Sequence, residues 1–286
     1  MMRLSIIGSL LLLFMLTGCY SEVSNDYVGE IAMTYPNTKL KSLNNYQKGI
    51  MIYLPSTKRF SHVAQSRGFS DLSFSENKKK IMGVSTNNTI FEYDIETNNM
   101  TLVYKGSNED ASYDYLKYVP KSDLISFCSY PNLCIYNQRT KEIKKILPHI
   151  WGEYSWTKDG KKLLYSISGR GTIYSLDIEN NKSTLYSKEG FSPQLSRSNN
   201  YIAFMTKNGE IIVKEIKTSR KWSYKGLELI YYKFSPDDKY LAIIEVVPSK
   251  TFMCGINLTV WDFRNNKKNT LIEDIYQGCQ SNFDWK

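Results

Sequence analysis

The chain has 286 residues, of which 42% are hydrophobic and 14% aromatic, with 22 Tyr. That content supports a sizeable core and excludes an intrinsically disordered chain, and so many tyrosines suit half-buried β surfaces. The formal charge of +9, from 37 Lys and Arg against 28 Asp and Glu, suits an anionic neighbour such as lipid headgroups, lipopolysaccharide or an acidic protein face. The lysines nevertheless recur in turns and on strand edges (Lys78-Lys79-Lys80, Lys161-Lys162, Lys267-Lys268), where they prevent edge-to-edge aggregation, and that plainer reading takes precedence.

The chain opens with Met1-Met2-Arg3, followed by an apolar run from Leu4 to Leu16 and then Thr17-Gly18-Cys19. An apolar stretch of roughly a dozen residues is the core of a secretory signal and is short for roughly 30 Å of hydrocarbon. Leu16-Thr17-Gly18-Cys19 resembles the bacterial lipobox, in which small residues precede the cut and the cysteine becomes an acylated first residue. The resemblance implies removal of residues 1–18, lipid attachment at Cys19, a short tether over residues 19–28 and one folded domain over residues 29–286. Residue 20 is Tyr, where inner-membrane lipoproteins usually carry Asp. The expected location is therefore the outer membrane with the body in the periplasm, or the outer face of the cell membrane in a Gram-positive cell. Nucleic acid is not an expected partner there.

Beyond the tether, two motifs alternate. The first is an aromatic or apolar residue closing a short strand, a polar turn, and a second apolar strand; it is centred on Phe74, Tyr118, Trp156, Leu195 and Phe234. The second is a strand, a turn rich in Asn, Thr and Lys, and another strand, with Asp94, Asn137, Asp177, Glu215 and Asp262 in equivalent places. Copies lie roughly 38 to 51 residues apart, close to the spacing of four-stranded propeller blades. Turns such as Asn98-Asn99, Asn180-Asn181 and Asn265-Asn266 tolerate the positive φ of tight hairpins. Five complete blades are predicted between about residues 69 and 275. A sixth is assembled from both ends: Glu30 to Tyr35 and Gly49 to Val63 supply three strands, and Ser281 to Lys286 supplies the innermost one. The predicted fold is all-β, a six-bladed β-propeller whose ring is closed by the C-terminal strand joining the N-terminal blade, which leaves no free edge at the seam.

Ser235-Pro236-Asp237-Asp238-Lys239-Tyr240-Leu241-Ala242 and Trp156-Thr157-Lys158-Asp159-Gly160-Lys161-Lys162-Leu163 resemble the repeat of TolB-like, or WD40-like, β-propellers. The resemblance covers essentially the whole mature chain and implies a monomeric, non-enzymatic scaffold that presents loops to an envelope protein. Two longer loops, Pro36 to Lys48 and Val247 to Ile256, are expected to meet on one rim and form the contact surface.

The chemistry of propeller enzymes finds little support. Gly83-Val84-Ser85-Thr86-Asn87 lacks the second glycine of a nucleophile elbow, and Gly169-Arg170-Gly171 reads as a turn, not a dinucleotide loop. His62 and His149, the two histidines, lie far apart, so no metal site and no cofactor are expected. One polar column stands out, immediately before each anchor residue: Ser73, Lys117, Ser155, Gln194, Lys233 and Asp284. The residues one further back are apolar or Pro, so alternation sends the polar set toward the axial channel. That column is read as a hydrated channel lining. The rival function is a glycan- or lipid-acting enzyme or small-ligand binder using the channel, with Lys117 and Lys233 as donors.

Four further cysteines in an exported chain invite disulfides. Cys128 and Cys134 flank a predicted hairpin turn and are expected to pair, which leaves Cys254 for Cys279. Replacing Cys19 with Ser is expected to abolish acylation. Metabolic labelling with a radioactive fatty acid checks this, and label retained by the variant would overturn the lipobox reading.

Overall fold

The computed structural model describes residues 27–36, 48–65, 69–85, 88–106, 113–150, 152–167, 171–226, 228–248, 255–275 and 283–286. Cys19, Cys254 and Cys279 lie outside the described residues, as do the signal and the central parts of the two longer loops.

The strands form six four-stranded antiparallel sheets, the blades of a β-propeller. β1 (Ile31–Pro36), β2 (Lys48–Leu54) and β3 (Arg59–Gln65) belong to the closing blade. Blade 1 holds β4 (Phe69–Phe74), β5 (Lys80–Ser85), β6 (Thr89–Asp94) and β7 (Met100–Lys105). Blade 2 holds β8 (Tyr113–Tyr118), β9 (Leu124–Ser129), β10 (Asn132–Asn137) and β11 (Ile143–Leu147). Blade 3 holds β12 (Ser155–Trp156), β13 (Lys162–Ser166), β14 (Ile173–Asp177) and β15 (Lys182–Ser187). Blade 4 holds β16 (Phe191–Leu195), β17 (Tyr201–Met205), β18 (Ile211–Glu215) and β19 (Lys221–Tyr224). Blade 5 holds β20 (Glu228–Phe234), β21 (Leu241–Val247), β22 (Gly255–Asp262) and β23 (Lys267–Ile275). β24 (Phe283–Trp285) then pairs antiparallel with β1, setting Trp285 opposite Ile31 and Phe283 opposite Met33.

Sequence chemistry sets the turns. Between the first and second strands of a blade, a hydroxyl closes the turn on itself: Ser75 Oγ, Thr157 Oγ1, Ser196 Oγ and Ser235 Oγ accept the N–H of Lys80, Lys162, Tyr201 and Tyr240 at 3.0–3.1 Å. The same turns carry a left-handed residue: Lys78, Lys121, Gly160, Asn199 or Asp238. Between the third and fourth strands the left-handed residues are Lys58, Asn98, Lys141, Asn181, Ser219 and Asn266. There Asp94, Asn137, Asp177 and Asp262 accept turn N–H groups three residues on, at 2.8–3.1 Å. These are Asx turns, in which a short polar side chain substitutes for a backbone acceptor.

Packing is between blades. Six clusters of buried apolar side chains each draw on two neighbouring blades. At the seam, Phe283 and Trp285 bury with Tyr231, Ile244 and Leu258 of blade 5 and with Ile31 and Tyr53 of the closing blade. Trp285 Nε1 donates to the Val28 carbonyl at 3.0 Å, and the Glu30 and Lys286 backbones exchange bonds of 2.6 and 2.8 Å.

The expected Cys128–Cys134 bridge is corrected by the register. Cys128 faces Leu133 across the hairpin, and Cys134 faces Phe127. An offset of one residue sends their side chains to opposite faces of the sheet. Cys128 packs between blades 2 and 3 and Cys134 between blades 1 and 2.

Deleting residues 281–286 removes two aromatics whose burial is worth roughly 3 to 6 kcal/mol, comparable with much of a domain's net stability. The expected outcome is a cooperative loss of stability across the whole ring. Thermal unfolding followed by far-UV circular dichroism checks it: a midpoint within a degree or two of the intact chain would contradict closure by β24.

Candidate functional site

The innermost strands converge on the ring axis, and there the structure gathers the charged side chains. In blade 3 the inner strand is interrupted. Ile150 bridges to Ile167, the ladder resumes only at Ser155, and Gly152 between them takes φ of 75°. Glu153 stands in that gap, 5% exposed. Lys117 Nζ of blade 2 donates to its Oε2 at 2.5 Å, Gln194 Nε2 of blade 4 donates to the same oxygen at 2.7 Å, and Lys233 Nζ of blade 5 lies 3.8 Å away. Lys233 Nζ also donates to Gln194 Oε1 at 3.4 Å. One carboxylate thus ties four blades together. Tyr154 and Tyr231 present their rings to Lys117 and Lys233 at 5.3 and 5.1 Å from the ammonium nitrogens, cation–π contacts that partly replace lost hydration.

A second carboxylate, Asp71 of blade 1, is 1% exposed. It accepts the N–H of Leu72 at 2.9 Å and, across the blade boundary, that of Leu116 at 2.5 Å. Related stitches recur around the ring: Asp284 accepts Phe74 N–H at 2.8 Å, and Ser155 Oγ accepts Leu195 N–H at 2.9 Å.

Burial and charge set the protonation states. Burial by itself would raise Glu153, but the Lys117 and Lys233 ammoniums overcome it and hold the carboxyl at about 2. Asp71 is raised to about 7, first by burial and then by the negative charge of Glu153. Burial lowers Lys117 to about 8 against the pull of Glu153. For Lys233, burial acts downward, but Glu153 and Asp284 together carry it above the usual lysine range.

Of the polar column read from the sequence, Lys117, Gln194 and Lys233 meet in this cluster, while Ser155 and Asp284 make the blade-to-blade stitches. Ser73 is buried in blade 1, and no hydrogen bond among the described residues joins it to the cluster. Glu153 and Asp71 were missed. Each lies two positions before a member of the column, Ser155 and Ser73, on the same face by strand alternation. A walk of period two would have found them. Register shifts in the inner strands, between Phe69 and Asp71, Asp114 and Lys117, Phe191 and Gln194, and Leu229 and Tyr231, blur that period.

Chemically, the two carboxylates are pushed apart in acidity, the pattern of an acid and base pair. Asp71 is engaged by two backbone N–H groups, and Glu153 through Oε2 by donors from two blades, while its buried Oε1 has no hydrogen-bond partner among the described residues. Among the described residues no three His, Cys, Asp or Glu side chains are grouped to hold a metal ion.

No protein-family model matches the chain, and no curated protein sequence matches it. Solved structures do. A structure described as a putative TolB from Agrobacterium tumefaciens superposes with a TM-score of 0.64 at 12% identity, covering 86% of this chain and 89% of that one. A structure of a nidogen/laminin complex matches with a TM-score of 0.66 at 8% identity, covering 89% and 98%. An oligogalacturonate lyase in complex with manganese matches with a TM-score of 0.50 at 17% identity, covering 69% and 68%. At such identities these likenesses establish the fold, a six-bladed β-propeller that includes TolB-like proteins among its structural neighbours.

Proposed function

We propose that this chain is a cell-envelope lipoprotein, anchored through Cys19, whose propeller is a non-enzymatic scaffold for a protein partner. The observation that carries the reading is the placement of the two longest connections between second and third strands. Residues 37–47 leave from Pro36 and return at Lys48, which pair with each other; residues 248–254 leave from Val247 and return at Gly255, which also pair. The second connection is shorter than the sequence suggested, because Gly255 and Ile256 already belong to β22. Both connections spring from the same rim of adjacent blades, the closing blade and blade 5. That rim is also raised. β21 runs to Val247, seven residues, where the equivalent β17 has five, a difference of about 7 Å at roughly 3.3 Å per residue. Long loops side by side on a rigid scaffold are the usual place for protein recognition.

The rival reading, an enzyme or small-ligand binder acting at the axis, draws on the convergence of Glu153 and Asp71. What favours the scaffold is that the axial charges contact one another across blades, an arrangement that braces the ring. Whether this propeller resembles the lyase neighbour in function is a separate matter from fold.

Two outcomes test this. Crosslinking and affinity capture from membranes should recover one partner with the parent chain and lose it when residues 37–47 are replaced by a short Gly-Ser linker; capture unaffected by that replacement and by one of residues 248–254 would overturn the rim assignment. Glu153→Gln removes the carboxylate that lies within ion-pair distance of both buried ammoniums and should cost about 3 to 5 kcal/mol at neutral pH. Because Glu153 is depressed to about 2, its contribution is complete above its ordinary value and is lost as pH falls toward 2. Urea unfolding from pH 6 down to pH 2 should therefore show a flatter acid limb in the variant, and equal stability of the two proteins would deny the cluster its structural role.

A further inference from the structure

The two rims of the ring differ in charge, and the chain enters from one of them. Turns joining first to second and third to fourth strands all lie on one rim, because neighbouring strands are antiparallel. Every blade places exposed basic side chains there, among them Lys58, Lys79, Lys141, Lys158, Lys217 and Lys239. Five of the acids on that rim are held in: Asp94, Asp159, Asp177 and Asp262 accept backbone N–H groups of their own turns, and Asp238 accepts those of Arg197 and Ser198. Glu96 and Asp237 pair with Lys79 and Lys239 at 3.0 and 3.3 Å, and Glu76, Asp123, Glu142 and Glu179 are exposed, but the Lys and Arg of the same turns outnumber them. A carboxylate fixed one carbon from the backbone stays near the turn, while an ammonium on a four-carbon stem reaches outward. The potential seen by an approaching surface is accordingly positive. On the opposite rim, among the described residues, the balance is nearly even: Lys188 is followed by Glu189, Lys207 by Glu210 and Lys225 by Glu228.

The described chain begins on the basic rim. Glu30 pairs with Lys286, a Cβ on Gly29 would meet Pro236 of a first-to-second-strand turn, and Tyr27 packs edge-on against Tyr240 at 4.8 Å while accepting a hydrogen bond from Asn269. Residues 19–26 can span at most about 28 Å when fully extended. A group on Cys19 is therefore leashed to the basic rim.

We propose that this rim is a second membrane contact, lying against anionic lipid headgroups and turning the opposite rim, with its two long connections, away from the bilayer. The proposal rests on the anchor at Cys19 for its orientation but on the rim's charge for its chemistry. Each lysine near an anionic surface contributes only modestly, so the contact requires several blades together, and it weakens with salt. The commoner fate of scattered surface lysines is simple solvation; what distinguishes these is their concentration on the rim that carries the tether.

The test uses the full mature protein purified from membranes and reconstituted into vesicles of pure phosphatidylcholine or of phosphatidylcholine with phosphatidylglycerol. Amine labelling read by mass spectrometry should show Lys58, Lys79, Lys141, Lys158, Lys217 and Lys239 reacting at least about threefold more slowly on the anionic vesicles, with the difference lost in high salt. Lys105 and Lys207, on the other rim, should react alike on both. Equal labelling of the basic rim on the two vesicle types would overturn the proposal, as would protection of Lys105 and Lys207 in its place; an acidic protein partner for this rim predicts the former. The mass of the N-terminal peptide reports acylation separately. If it proved unmodified, sedimentation with anionic but not neutral vesicles would sustain the lipid-facing rim without the anchor, and no sedimentation with either would overturn it.

Discussion

Closure of the ring is the constraint from which the rest follows. A blade here is a sheet with two apolar faces, and among the described residues no helix covers either. Both faces leave water only if every blade has a neighbour on each side, and that condition is met for all six only when the last neighbour is also the first. The buried clusters lie between blades, each shared by two of them. Without β24 the closing blade would expose the edge of β1, and the seam would lose the aromatics that join it to blade 5.

Closure also creates a place where inner strands from every blade approach one another, and that place has to be filled. In this chain it is filled with charge. The desolvation of Lys117, Lys233 and Glu153 is offset by their mutual contacts, by Gln194 and by two tyrosine rings. Buried ion clusters often contribute little net stability compared with apolar packing, yet breaking one is costly because it strands the remaining charges. Their value lies in geometry, since the Glu153 Oε2 that takes donors from blades on either side meets both in one arrangement of the blades. The backbone stitches of Asp71, Asp284 and Ser155 act in the same sense, each joining an inner strand to the next.

A rigid ring makes its two rims independent surfaces. The turn-rich rim carries the basic side chains and the start of the described chain, and the other carries, on two adjacent blades, the two longest connections between second and third strands. This division is the basis of the proposed arrangement, with one rim toward a membrane and the other toward a partner. Loop composition can then change without disturbing the interior, which is why the fold by itself says little about what is bound.

The architecture was legible in the sequence because it is periodic. Alternating apolar residues, hydroxyl-closed turns and Asn or Asp in equivalent places are local signals repeated blade after blade, and residues 69 to 275 fall into strands as that repetition predicts. Even closure could be read, since a lone first-motif strand near Trp285 needed partners. Two things could not. Cys128 and Cys134 flank a turn, but whether they meet depends on a register offset of one residue, and that is decided by which face of β10 suits each neighbouring blade. The axial cluster joins residues from blades 2 to 5, brought together only by the curvature of the ring, and which donors reach Glu153, in the break of its strand, follows from that curvature. Residue type and short-range spacing therefore determined the blades, while the contacts between blades, where distant parts of the chain share a face or a charge, were decided by the tertiary structure.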